Sequence, residues 1–182
     1  MARLDPQALV THLDRLYRVA WALCGSREQA EDLVQETAAR VLAKPRQLHG
    51  QDELAYLVRA LRNTFLLSRR TASRRPREVA TLDQVEPVDP RASARPEAAL
   101  ATRELFAAIA ALPEDFRLAL VAVDVAGLSY REAADVLGTR EATIASRLFR
   151  ARDRVAQALA DASRPIEPPA PREGGPSARS LR

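Results

Sequence analysis

The chain has 182 residues, with 28 basic and 24 acidic side chains and a formal net charge of +4. Its single cysteine excludes an intramolecular disulfide, and no apolar run reaches the roughly twenty residues that a membrane-spanning helix requires, so we expect no membrane insertion. Aromatic residues account for only 4% of the chain, whereas Ala, Leu, Arg and Glu dominate, which favours helices over sheets. The composition predicts an all-α protein, and the absence of a signal-peptide pattern predicts a cytoplasmic location.

The first 75 residues carry three amphipathic helical patterns that are joined by short loops. The first runs from about residue 6 to Cys24, whose thiol we interpret as buried and structural. Ser26 and Gln29 have the spacing of a capping box and predict the start of a second helix. A third pattern starts near Glu53. Three such helices predict one small bundle.

Charge is distributed unevenly over this predicted bundle. The second helix carries four acids near its start: Glu28, Glu31, Asp32 and Glu36. The helix dipole accounts for Glu28 alone, but four acids exceed what capping requires. Residues 54–77 instead hold seven arginines and no acid. The asymmetry predicts a polyanionic partner for one surface and a different partner for the other.

Prolines divide the remainder of the chain. Residues 76–97 contain several prolines among acids and small residues, and this composition predicts a flexible linker. Helical patterns resume over residues 98–162, with a break at Pro113. Residues 163–182 are rich in Pro and Gly and predict a disordered tail. We therefore predict two small helical domains, residues 1–75 and 98–162, on a flexible tether.

Residues 127–154 have the pattern of a helix-turn-helix. Ser129 and Glu132 have the spacing of a capping box at the start of its first helix, and Gly138 supplies the left-handed residue that ends this helix. Thr139 follows at once and is predicted to cap the second helix. The turn between the two helices is therefore expected to be tight.

The second of these helices has two different faces. Its apolar face contains Ile144, Leu148, Ala151 and Val155. Polar and basic residues recur at three- and four-residue intervals on the other face: Arg140, Thr143, Arg147, Arg150 and Arg154. Such a row could be a merely solvated surface, which is the usual position of charge on a helix. We favour DNA binding, because the planar arginine fork fits guanine edges and phosphates.

Three segments match signatures of one bacterial family. Ala30-Glu-Asp-Leu-Val-Gln-Glu-Thr37 resembles the second-region signature of sigma factors, and Leu57-Val-Arg-Ala-Leu-Arg-Asn63 resembles the segment that follows it. Leu112-Pro-Glu-Asp-Phe-Arg117 through Ser146-Arg-Leu-Phe-Arg-Ala-Arg152 resembles the fourth region. A chain with only these two regions is similar to the extracytoplasmic-function (ECF) sigma factors of bacterial RNA polymerase.

The resemblance implies that the protein binds core RNA polymerase, directs it to promoters and helps to open them, with an anti-sigma factor as a further partner. By position, the residues implied in polymerase docking are Glu31, Asp32, Gln35 and Glu36. Those implied at single-stranded downstream promoter DNA are Tyr56, Arg59, Arg62 and Asn63, with Tyr56 standing where the family usually has Trp. Those implied at the duplex upstream element are Arg140, Thr143, Ser146, Arg147 and Arg150.

The resemblance also assigns the loop from Pro45 to Asp52 to the capture of a flipped base. Its His49 could bond a base through its ring nitrogens, but an isolated loop histidine is more often simply exposed, and we favour that interpretation.

Two other functions are compatible with parts of the sequence. A stand-alone helix-turn-helix regulator would explain residues 127–154 but would leave the acidic helix and the arginines of residues 54–77 without a role. An enzyme is disfavoured, because His12, His49 and Cys24 lack metal-ligand spacing and no glycine-rich phosphate loop is present. We expect no catalytic site, metal or cofactor.

Overall fold

The computed structural model describes residues 2–3, 6–43, 47–48, 53–74 and 96–162. Its first part is a bundle of three helices, which are α1 (Pro6–Cys24), α2 (Arg27–Ala43) and α3 (Glu53–Arg74). Two-residue strands, β1 (Ala2–Arg3) and β2 (Gln47–Leu48), pair antiparallel with each other. We call α1 to α3 the N-terminal bundle.

The second part, the C-terminal bundle, contains four α-helices: α4 (Pro96–Ala110), α5 (Glu114–Leu120), α6 (Tyr130–Leu137) and α7 (Glu141–Ala162). A π-helical segment, Val121–Val125, continues α5. Pro113 precedes α5, as predicted, because its ring fixes a backbone angle that suits a helix start but cannot continue a helix from before. Gly127, with φ of +77°, ends the segment, so the chain can turn into α6.

The predicted apolar faces form the cores of the two bundles, with some exceptions. Leu16, Leu57 and Leu61 are almost fully buried in the N-terminal bundle, as Ile144 and Leu148 are in the C-terminal bundle. Three leucines that the helical patterns of residues 6–24 and 98–112 predict to face inward, Leu13, Leu100 and Leu105, are exposed. Ala99, next to Leu100, is buried instead, whereas Ile109 further along α4 is buried as the pattern predicts.

The two bundles pack against each other. The Trp21 ring in α1 stacks on the Phe106 ring in α4, with centroids 4.5 Å apart and an interplanar angle of 8°. A Cβ on Gly25 would come within 2.7 Å of the Ala110 Cβ, so this close approach of α1 to the end of α4 requires glycine. The buried residues of both bundles belong to one continuous hydrophobic cluster.

The all-α prediction is therefore confirmed, apart from the two-residue strands. These strands could not be expected from composition, because a pair of two-residue segments has no periodicity to detect. Helix α4 starts at Pro96, inside the predicted linker; residues 76–95 of that linker and the predicted tail, residues 163–182, lie outside the described residues. No helix in the described part of the chain is both long enough and apolar enough to span a bilayer.

Candidate nucleic-acid and protein interfaces

Four polar residues of α2 form an exposed patch that we call the acidic surface: Glu31, Asp32, Gln35 and Glu36. Two of its carboxylates are partly satisfied within the helix. Glu31 accepts a hydrogen bond of 3.2 Å from Arg27 Nε, and Glu36 accepts one of 2.6 Å from Arg40 Nη2. The other face of α2 is buried, which leaves this surface available to a basic partner.

The predicted DNA-contacting residues of α3 do not all point freely into solvent. Arg59 Nη2 donates a hydrogen bond of 2.8 Å to the backbone carbonyl of Asp135 in α6. Arg62 is half-buried and bonds to its neighbour Asn63 through Nη1 at 3.2 Å. Its Nε is buried and has no hydrogen-bond partner among the described residues. We call Arg59, Arg62 and Asn63 the α3 face.

The rest of the predicted downstream site is only partly visible. Tyr56 is half-buried at the start of α3 and packs against the hydrophobic core. The predicted base-capture loop from Pro45 to Asp52, including His49, lies outside the described residues except for the backbone of Gln47–Leu48. The structure therefore places Tyr56 on the same helix as the α3 face, two turns or less from its members.

The helix-turn-helix has the geometry that the sequence predicts at its first helix. Ser129 Oγ accepts a hydrogen bond of 3.2 Å from Glu132 N, and Ser129 N donates one of 2.7 Å back to the Glu132 carboxylate. The hydrogen bonds from the Ser129 side chain and backbone lower the pKa of Glu132 below its ordinary value of 4.5. Gly138 ends α6 with φ of +67°. The capping box and the left-handed stop are both confirmed.

The predicted cap of the second helix is wrong by one residue. Helix α7 starts at Glu141, and the Arg140 carbonyl accepts its first backbone hydrogen bonds, from Thr143 and Ile144. The Thr139 amide instead donates to Ala134 O at 3.0 Å. Thr139 therefore closes the end of α6, because the left-handed turn at the preceding glycine extends the C-terminal hydrogen-bonding pattern by one residue.

The arginines of α7 divide into two groups. Arg147 Nη2 donates to Asp115 in α5 at 2.6 Å, and Arg152 makes two hydrogen bonds to Asp124, of 2.9 and 2.7 Å. The Arg154 guanidinium lies 5.1 Å from the centroid of the Phe116 ring. These three side chains hold α7 against α5 and against the π-helical segment that follows it.

The other group faces solvent. Arg140, Ser146 and Arg150 are exposed, and Thr143 is half-buried. Phe149 is also 75% exposed, the largest exposed fraction among the large apolar side chains of the described residues. Sequence reasoning missed Phe149; the available signal was an aromatic residue outside the apolar stripe of an otherwise amphipathic helix. An apolar ring at this position is able to contact thymine methyl groups in a major groove.

Sequence reasoning also missed the role of Arg117. This half-buried α5 side chain crosses to the N-terminal bundle and donates a hydrogen bond of 2.7 Å to Leu23 O, near the end of α1. Its guanidinium lies 5.8 Å from the centroid of the Phe65 ring. Burial lowers the pKa of Arg117, and burial raises the pKa of the nearby Cys24 to about 11. The thiol is thus protonated at neutral pH, as expected for a structural cysteine.

The described residues contain no group of three or more His, Cys, Asp or Glu side chains that could hold a metal ion. These residues present charged and hydrogen-bonding groups on three surfaces: the acidic surface, the α3 face and the solvent side of α7, which carries Arg140, Ser146 and Arg150.

Sequence comparisons identify both bundles. The Sigma-70 region 2 family matches residues 9–75, and the Sigma-70, region 4 family matches residues 102–155. EcfG, an ECF RNA polymerase sigma factor of Rhodopseudomonas palustris, is 37% identical over 141 residues, which are 77% of this chain and 76% of EcfG. The chain belongs to the ECF sigma factors. This family directs RNA polymerase to promoters and is not enzymatic; its members act on the polymerase in the cytoplasm, which agrees with the predicted location.

Two further relatives define how far the similarity extends. SigE of Mycolicibacterium smegmatis is 35% identical over 151 residues. The match covers 82% of this chain but only 59% of the length of SigE. In a crystal complex with the anti-sigma factor NepR, RpoE from Bartonella quintana has a TM-score of 0.67 and 30% identity to this chain. The match covers 85% of this chain and 95% of RpoE, which is more than either bundle alone contains.

Proposed function

We propose that this sigma factor docks on core RNA polymerase through the acidic surface of α2. It would direct the polymerase to promoters through the α3 face and the solvent side of α7. The observation that carries the proposal is the separation of charge within sigma-70 region 2. Acids lie exposed on α2, whereas the arginines of residues 54–77 lie on and after α3. A basic polymerase surface would complement the first, and promoter DNA the second.

Within the acidic surface, Asp32 is the residue that we assign the largest share of docking. Glu31 and Glu36 already interact with arginines one helical turn away, whereas no hydrogen bond or ion pair engages the Asp32 carboxylate among the described residues. An exposed carboxylate without an internal partner gains the most from a new cationic partner and loses no existing contact.

The proposed DNA contacts divide between the bundles. The α3 face and Tyr56 would contact the separated strands of the downstream element, where stacking and cationic side chains are the usual means of holding single-stranded DNA. Arg140, Thr143, Ser146 and Arg150 would enter the major groove of the upstream element together with Phe149. Arg147, whose present partner is Asp115, would contact a phosphate of the same element rather than a base edge.

The docking proposal is tested by charge reversal. Asp32→Lys, alone and combined with Glu36→Lys, should weaken binding to core polymerase by about tenfold or more, since each replaces an attraction by a repulsion. Glu104→Lys, an exposed acid in α4, makes the same charge change away from the acidic surface and should bind core normally. Normal core affinity in the double variant would remove the assignment of docking to α2.

Promoter-directed transcription tests the function as a whole. Core polymerase should initiate at specific sites on a promoter library only when this protein is added. The rival function, a stand-alone helix-turn-helix regulator, predicts instead a footprint on duplex DNA by the protein alone and no core-dependent initiation.

We also propose that an anti-sigma factor controls this protein. The support is the similarity to RpoE of Bartonella quintana, whose structure was solved in complex with NepR. A NepR protein titrated against the purified chain should abolish core-dependent transcription at equimolar amounts. Full transcription at saturating NepR would mean that an inhibitor of a different class is needed.

A further inference from the structure

The start of the chain pairs with the connection between α2 and α3. Strands β1 and β2 run antiparallel, with Ala2 opposite Leu48 and Arg3 opposite Gln47. Residues 44–52 separate α2 from α3, so β2 lies within this connection. The pairing therefore ties the connection to the residues that precede α1.

Both strands lie at one end of the N-terminal bundle. Only Gly25 and Ser26 separate α1 from α2, and the two helices pack against each other, so they form an antiparallel helical hairpin. The start of α1 is then beside the end of α2. Two residues separate β1 from α1, three separate α2 from β2, and four separate β2 from α3. Such short spacers keep the two strands and the start of α3 at the same end of the bundle.

This end of the bundle also carries part of the proposed downstream DNA site. Tyr56 lies in the first turn of α3, eight residues after Leu48, and its half-buried ring packs against the hydrophobic core. Residues 44–52 connect two helices, and ordering each residue of a connection costs backbone entropy. Pairing with β1 orders two of these residues before DNA arrives. Order that exists before binding raises affinity, because less has to be created in the complex.

We propose that β1 is a positioning element for downstream promoter DNA, which acts by pairing with β2 and so fixing the chain that leads into Tyr56. The proposal rests on the proposed role of Tyr56 and the α3 face. A two-residue pair is too short to be stable by itself. It forms here because Leu4 and Asp5 alone separate β1 from α1, which gives β1 a high effective concentration at β2.

The other two functional surfaces lie away from β1. Asp32, in the acidic surface, is eleven residues before the end of α2, which is about 16 Å along the helix axis. The solvent side of α7 belongs to the C-terminal bundle. Loss of β1 should therefore weaken contacts to downstream DNA and spare both core binding and discrimination among upstream elements.

The pairing itself is tested with a pair of cysteines. Partner residues in an antiparallel pair have Cα atoms about 4.5 to 5.5 Å apart, within the range that a disulfide spans. Ala2→Cys with Leu48→Cys should therefore form a disulfide under oxidised glutathione. Ala2→Cys with Glu28→Cys is the matched control, because Glu28 lies exposed near the other end of α2 and should not cross-link. The native Cys24, with a pKa of about 11, is protonated and reacts slowly.

Holoenzyme binding to a forked downstream fragment tests the function of the pair. Deletion of residues 2–5 removes β1 and should lower this affinity about tenfold. Arg3→Gln removes the charge of β1 but keeps its backbone, so it should bind as the wild type does. The oxidised Ala2→Cys/Leu48→Cys protein should bind several-fold more tightly than the same protein after reduction, because the disulfide removes the unpaired population. Core affinity and upstream discrimination should be unchanged in all of these variants.

Four results would overturn the proposal. The first is failure of the disulfide between positions 2 and 48 to form. The second is a folded deletion variant with unchanged affinity for forked DNA. The third is Arg3→Gln binding as weakly as the deletion, which would assign the effect to charge. If the deletion loses helical circular dichroism, equal affinities of the oxidised and reduced cysteine variant would be the fourth. Absence of core-dependent initiation by the wild type would instead contradict the proposed function.

Discussion

The guanidinium of Arg147, on α7, the second helix of the helix-turn-helix, donates a 2.6 Å hydrogen bond to the carboxylate of Asp115 in α5. Only 27% of the Arg147 side chain is exposed, whereas 62% of the Asp115 side chain is. The arginine is thus drawn back from the surface by an acid of its own domain. Its Nη2 group cannot donate to DNA without exchanging this partner, which distinguishes Arg147 from the exposed Arg150 on the same helix.

Asp115→Asn should increase non-specific binding to duplex DNA, because it removes a repulsive charge and frees Arg147 for a phosphate. One additional phosphate contact raises the slope of log affinity against log salt by about one. The measurement is fluorescence anisotropy on a random duplex over a range of salt concentrations. Glu104→Gln removes an exposed acid in α4 and should leave the slope unchanged. Identical slopes for wild type and Asp115→Asn would show that Arg147 stays away from phosphate.

Arg150→Ala should lose promoter discrimination, whereas Arg147→Ala should not. A bidentate contact to a base edge is worth about 1 to 3 kcal/mol, and its loss falls on a few positions of the upstream element. A partly exposed ion pair at the surface, such as Arg147 with Asp115, is worth about 0 to 1 kcal/mol of folding stability. Transcription from a library of upstream elements measures the discrimination. Equal effects of the two substitutions would contradict this division of the α7 arginines.

Ser129→Ala should destabilise the protein by about 1 kcal/mol at neutral pH, because it removes the side-chain oxygen that caps α6. The hydrogen bonds from Ser129 lower the folded-state pKa of Glu132. The contribution of this carboxylate to the free energy of unfolding is therefore fully present above the ordinary pKa of 4.5. This contribution is lost as pH falls through the lowered pKa, when the folded-state carboxylate becomes protonated. Urea unfolding at pH 7 and at successively lower pH should show the difference between wild type and variant shrinking. A constant difference would exclude the charged carboxylate from the cap.

Cys24 should react slowly with iodoacetamide. Burial raises its pKa to about 11, and only the thiolate is nucleophilic, so at pH 8 the rate should be about two orders of magnitude below that of a free thiol. Denatured protein supplies the reference rate. Phe106→Ala should accelerate the reaction by exposing the end of α1, whereas Leu105→Ala should not. Rapid alkylation of the folded wild type would show that the thiol is exposed in solution.

Local features were the predictable part of this structure. Ser129, Glu132 and Gly138 act within a few residues of one another, so their spacing alone determines how α6 starts and ends. The contact from Arg59 to Asp135 joins residues 76 apart, and that from Arg117 to Leu23 joins residues 94 apart. No periodicity in the sequence encodes which helix of one bundle will meet the other. The sequence therefore predicted basic faces on α3 and α7, but it did not predict which residues of the protein those arginines contact.

The π-helical segment was not predictable for a different reason. Val121–Val125 has the apolar character of a buried helix, and apolar spacing does not distinguish i→i+4 from i→i+5 hydrogen bonds over five residues. In α4 the spacing of apolar residues also failed to give the inward face at the start of the helix, where Ala99 is buried and Leu100 is exposed.

The stacking of Trp21 on Phe106 has a thermal consequence. Apolar burial stabilises less on cooling, because its driving force near room temperature is entropic and carries a large heat-capacity change. The hydrogen bonds at Arg59 and Arg117 do not share this dependence to the same degree. The balance between packed and separated bundles should therefore shift with temperature, and a cooled cell would hold a larger share of this protein with its two halves apart.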